Sequence, residues 1–275
     1  MNILHRNSKA KTFNRCGEIG DSWSGLQKWY QSRLGKLFAQ QERSLLEDTL
    51  SNLFGYHLLQ VGRPDSENWL AGSRVSHCEV MDFAGQGELA QAPGFCGLPE
   101  HLPIQSDSMD VLVLPHVLEF SQHPHAVLRE IERTLIPEGH LVLLVFNPFS
   151  LWKFPQWLPG LRNRKPWCGR FLSTTRIRDW LALLGFDVVK VQGYFYRPAL
   201  QQMSLIQRMA FIERFGGRFW SFLGAANLIL ARKRVMTLTP LGRSWTRPKA
   251  QIVSPPGLVE PFRHRPHLDN PPSPN

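Results

Sequence analysis

His116 stands directly after a short apolar run, residues 111–114, in the stretch Leu112-Val113-Leu114-Pro115-His116. A buried strand followed by a loop places that ring at the carboxyl edge of a sheet, where α/β folds bind their ligands. An imidazole there can move a proton as a general base. The same ring can instead fix the turn over residues 115–119 by a hydrogen bond, and both roles stand. His123 and His125 open the next helical stretch and read as solvent-exposed. Residues 149–171 interleave Trp152, Phe154, Trp157 and Trp167 with Lys153, Arg162, Arg164, Lys165 and Arg170, broken by Pro155, Pro159 and Pro166. Aromatics among cations suit an apolar or anionic ligand or a membrane interface, and they suit stacked bases as well. The plain alternative is a helical cap sealing a sheet. Cys16, Cys78, Cys96 and Cys168 lie far apart with no CxxC and no zinc-type pairing with histidine. Neither a disulfide framework nor a metal site is expected.

These groups need a scaffold, and the pattern supplies one. Residues 1–20 are polar and read as a flexible N-terminus. Over residues 21–55 Leu26, Trp29, Tyr30, Leu34, Leu37, Phe38, Leu45, Leu46 and Leu50 recur at helical spacing. This is a helical extension of one or two helices, capped at Ser22 or Ser24, with room for a break at Gly35 or the QQER stretch. It either covers a site or packs on the sheet. Short apolar runs then alternate with helical stretches. Strands are expected at 56–61, 75–81, 111–114, 141–146, 186–191 and 227–235. Helices are expected at 125–135 and 174–184, the second closed by Gly185, and 136–139 (Ile-Pro-Glu-Gly) reads as a turn. Residues 200–222 read as a packed helix. The alternation predicts an α/β fold, a Rossmann-like doubly wound sheet that is mostly parallel with an antiparallel last strand.

The chain has 275 residues and a net charge of +10. Residues 1–20 carry +3 and residues 232–275 carry +6, which leaves +1 for everything between. The basic excess therefore sits in the ends, which can touch RNA or an anionic membrane surface, or simply be solvated. Residues 237–275 are proline-rich and read as a disordered tail. No run is long enough for a transmembrane segment, and no apolar leader opens the chain, so a soluble cytoplasmic protein is expected.

Residues 102–148 carry a more specific signal. In order they hold Leu102-Pro103-Ile104, Ser108-Met109-Asp110, His116-Val117-Leu118-Glu119, Leu128-Arg129-Glu130, Arg133-Thr134-Leu135 and Pro137-Glu138-Gly139. This succession resembles the methyltransferase type 11 family of class I S-adenosylmethionine-dependent enzymes, in an uncharacterised proteobacterial branch. The resemblance spans residues 56–236. It implies S-adenosylmethionine as cofactor, a small-molecule acceptor and a site built from Gln60, Gly62, Asp82, Leu98, Leu114 and Pro115, with His116 beside it. Asp82, 20 residues after Gly62, would take the ribose hydroxyls, with Glu79 as runner-up. Leu98 falls where many members place an adenine-binding aspartate, and Glu100 substitutes only in another register. The family's glycine-rich turn is reduced to Gln60-Val61-Gly62-Arg63-Pro64. Two alternatives follow: a non-catalytic binding or scaffold relative, or an RNA-modifying enzyme assisted by the basic ends. A nicotinamide dehydrogenase is disfavoured because no G-x-G-x-x-G follows the first strand.

Overall fold

The structure, a computed structural model, describes residues 19–83, 94–150, 152, 169–196 and 224–234. The chain divides into the units Met1–Met236 and Thr237–Asn275, and every described residue belongs to the first. The expected flexible start, the proline-rich tail, most of the aromatic insert and the helix at 200–222 lie outside the described residues.

Two helices precede the sheet, α1 (Ile19–Tyr30) and α2 (Arg33–Leu50). Ser22 and Ser24 lie inside α1 and do not cap it. The break falls at Gln31-Ser32 because Ser32, with extended backbone, accepts the Gly35 amide and caps α2. Helix α2 therefore runs unbroken through Gly35 and the QQER stretch. Gly35 permits the tight corner. A Cβ there would stand 2.2 Å from the Trp29 carbonyl oxygen and 2.7 Å from Tyr30 Cα. Gly35→Ala is thus expected to prise α1 away and to cost about 1–3 kcal/mol, the usual penalty of overpacking. A lowered urea midpoint with unchanged slope checks this.

Seven strands follow in the order β3-β2-β1-β4-β5-β7-β6. They are β1 (His57–Val61), β2 (His77–Phe83), β3 (Phe95–Gly97), β4 (Met109–Pro115), β5 (Leu135–Phe146), β6 (Phe186–Tyr194) and β7 (Ala226–Lys233). Pairing is parallel from β3 through β5, while β7 runs antiparallel to both β5 and β6. The α/β, mostly parallel sheet with an antiparallel last strand is the architecture expected. Helices α3 (Val117–Phe120), α4 (Pro124–Thr134) and α5 (Thr174–Leu183) complete it.

Two elements differ from expectation. Strand β3 is only three residues long, too short to show a periodicity. The expected turn at 136–139 instead lies within β5, as an irregularity. Met109 pairs Leu135, but Val111 already pairs His140, and Glu138 takes a positive φ of 65° to absorb the extra residues. Beyond it, Leu141–Phe146 and the facing Val111–Leu114 are buried on both faces. Val127, Leu128 and Ile131 of α4 join the same core. Burial of each such side chain contributes roughly 1.5–3 kcal/mol, which holds the carboxyl ends of β1, β4 and β5 rigid under the site. No described helix is long and apolar enough to cross a membrane.

Candidate active site

Strand β1 lies between β2 and β4, so the chain winds one way to β2 and the other way from β4 to β5. The crevice outside their carboxyl ends is the switch point of the sheet. Gly62, with φ 84°, turns the chain out of β1 there. Gln60 is buried, and its Nε2 donates to the Gly62 carbonyl at 2.9 Å. Its Oε1 is buried without a partner. Helix α1 lies over this turn. Trp23 Nε1 and Gln27 Nε2 both donate to the Arg63 carbonyl, at 3.3 and 2.8 Å. A Cβ on Gly62 would meet the Trp23 ring at 2.8 Å and Phe83 Cζ at 3.0 Å. The Trp23 ring stands edge-on to Phe83, 4.8 Å between centroids, and to Phe120 at 6.1 Å.

Arg63 turns its side chain toward β2, where Nε donates to Asp82 Oδ1 at 3.3 Å in a buried ion pair. Its Nη2 is buried with no partner. Burial pushes the Asp82 carboxyl above its usual range, and the Arg63 guanidinium pulls the other way.

His116 forms the centre of a second cluster. It sits in left-handed backbone, φ 57°, immediately before α3, and its amide donates to Leu144 of β5 at 2.8 Å. The fully buried ring stacks on Phe146, with centroids 4.0 Å apart. Nε2 donates to Glu42 Oε1 at 2.7 Å, and Nδ1 donates to Glu119 Oε1 at 3.2 Å. Glu42 comes from α2. It also accepts the hydroxyl of Tyr30 on Oε2 at 2.7 Å and that of Tyr194 on Oε1. Glu119 Oε1 accepts the Phe146 amide at 2.6 Å, while Oε2 is buried and unpartnered. Burial alone would lower the His116 pKa. The Glu42 charge, with the hydrogen bonds to both carboxylates, outweighs it and raises the pKa from 6.5 to about 9. The ring is therefore an imidazolium at neutral pH, with both N–H groups engaged. Burial, and then the Glu42 charge, hold the Tyr30 and Tyr194 hydroxyls well above 10.

The structure thus brings Gln60, Gly62 and Asp82 together around Arg63, and sets Leu114, Pro115 and His116 at the end of β4. It does not bring in Leu98, which is 47% exposed and bridges His101 beyond β3. Glu100 accepts the Ser121 hydroxyl at 2.6 Å. Sequence reasoning missed Glu42, Trp23 and the pairing of Arg63 with Asp82. Only Glu42 left a signal: it shares the apolar helical face of Phe38, Leu45, Leu46 and Thr49, all buried.

Comparison with known proteins agrees with this architecture. Residues 42–191, more than half of the chain, match the family described as methyltransferase domain. The Escherichia coli K12 protein YafS, itself uncharacterised, is 31% identical over 227 residues, covering 80% of this chain and 87% of that protein. A Thermotoga maritima protein described as a SAM-dependent methyltransferase, possible histamine N-methyltransferase, superposes with TM-score 0.55 at 18% identity, over 78% of this chain and all of that one. A chain from the complex of the Haloferax volcanii Trm112 methyltransferase activator with its provisionally assigned methyltransferase gives TM-score 0.55 at 17% identity, covering 76% of this chain and 98% of that one. The chain belongs to the methyltransferase-domain family, on a class I, Rossmann-like fold.

Proposed function

We propose that the chain is an S-adenosylmethionine-dependent methyltransferase acting on a small, apolar acceptor, with the cofactor held at the carboxyl ends of β1 and β2. One observation carries this. Among the described residues three buried side-chain polar atoms lack a partner: Gln60 Oε1, Arg63 Nη2 and Glu119 Oε2. Gln60 lies near the end of β1, Arg63 just after it, and Glu119 in α3 directly beyond β4, so all three sit at the carboxyl ends of those two strands. An unpaired buried polar atom costs about 1–3 kcal/mol, and a ligand that completes the hydrogen bonds accounts for such a concentration.

The donor set fits the cofactor. Gln60 Oε1 can accept from an ammonium beside Gly62, and the Asp82 carboxylate suits a ribose diol once Arg63 releases it. When bound, the cofactor supplies a methyl group already activated on a sulfonium. The chain's own work is then to align the acceptor and to exclude water. His116, with both nitrogens protonated and engaged, holds the β4–α3 turn in place and takes no proton in this arrangement.

A specific observation favours the non-catalytic alternative. Trp23 and Phe83 stand against Gly62, and Arg63 already neutralises Asp82. Titration calorimetry with S-adenosylhomocysteine separates the readings. The enzyme reading expects heat with a micromolar Kd, weakened about tenfold or more by Asp82→Asn, the cost of one hydrogen bond to a charged group. Absence of heat at millimolar ligand, with the protein folded, would overturn it.

A further inference from the structure

We infer that helix α1 is an internal plug of the cofactor crevice, with Trp23 seated where the ligand must lie, so that binding requires α1 to leave. The inference rests on the methyltransferase reading above and adds how that site is regulated.

The contacts are specific to the crevice. The Trp23 ring covers the one glycine left in the β1 turn, close enough that even a methyl group on Gly62 would touch it at 2.8 Å. It fills the gap between Phe83 at the end of β2 and Phe120 in α3. The ring is fully buried, as is Leu26 one turn on. Trp23 and Gln27, four residues apart on one helical face, both donate to the carbonyl of Arg63. Arg63 in turn engages the Asp82 carboxylate. One short helix thereby occupies the face of Gly62, the Arg63 carbonyl and, through Arg63, the diol-binding carboxylate.

The plug is also incompletely satisfied. Arg63 Nη2 and Gln60 Oε1, on either side of Gly62, are left without partners while Trp23 is in place. A well-evolved permanent core would pair them. Their pairing capacity is what a ligand gains when the helix moves out. A lid that closes over a ligand would leave the Gly62 face open beneath it, and here that face is filled. Occlusion taxes affinity by the fraction of time the crevice is open.

The test is Trp23→Ala, with Trp23→Leu as the milder variant, each checked for folding by circular dichroism. Calorimetry with S-adenosylhomocysteine should show Kd at least about tenfold lower than in the unaltered chain. Equal or weaker binding in a folded variant, with the unaltered chain binding, overturns the plug and leaves the methyltransferase reading standing. If no form binds, the methyltransferase reading fails, and the plug, which rests on it, falls with it.

Discussion

Replacing Glu42 with alanine is expected to destabilise the fold by about 3–5 kcal/mol, the range for removing one partner of a buried ion pair. Three groups depend on that carboxylate: the His116 Nε2–H and the hydroxyls of Tyr30 and Tyr194. All of them are buried, so water cannot take its place. The loss is spread over α1, α2, the β4–α3 turn and β6, because each contributes one of the four residues. For a domain of this size the midpoint of thermal unfolding should fall by roughly 10 °C. Glu42→Gln keeps the volume and one acceptor oxygen and should cost about half as much. A Glu42→Ala midpoint within 2 °C of the unaltered protein, about the shift from 1 kcal/mol at most, would contradict the cluster.

The same cluster predicts how stability depends on pH. His116 has a pKa of about 9 in the folded chain against 6.5 when free. A raised pKa means that the protonated ring stabilises the fold. The contribution is complete below pH 6.5 and is lost as pH climbs through 9. Its size follows from the shift and is about 3 kcal/mol. Unfolding free energies measured by urea from pH 6 to pH 10 should decline across that window. His116→Gln should flatten the decline, and an equal slope in that variant would remove His116 as its source.

The sheet was largely legible because its strands announce themselves. Residues 111–114 and 141–146 are continuous apolar runs, as strands buried on both faces must be, and the helix at 125–135 carries its apolar residues on one face. Gly185, with φ 79°, closes α5 where a C-terminal glycine was expected. The motif block at 102–148 placed His116 correctly after the strand at 111–114. Strand β3 escaped because three residues have no period. Ser22 and Ser24 misled because the helix begins earlier, and the cap that matters is Ser32.

The site was less legible, for a different physical reason. Its decisive contacts join residues far apart in the chain. Trp23 reads as one more apolar residue on a helix, and nothing local reveals that it faces Gly62, 39 positions later. Arg63 reads as bulk in a glycine turn, and only the parallel pairing of β1 with β2 brings it to Asp82. Glu42 hides in a polar stretch, and its position on the apolar face of α2 was the single local clue. The paired carboxylates of Glu42 and Glu119 engage both ring nitrogens of His116, an arrangement that supports the turn-fixing role its place in the sequence also suggested.

Hydrogen exchange with and without S-adenosylhomocysteine tests the central claim most directly, that the crevice over β1 and β2 receives the cofactor. Saturating ligand should slow exchange of the amides in residues 60–64 and 80–83, on either side of the Gly62 turn. Exchange there that does not change with ligand, in protein that remains folded, would contradict it.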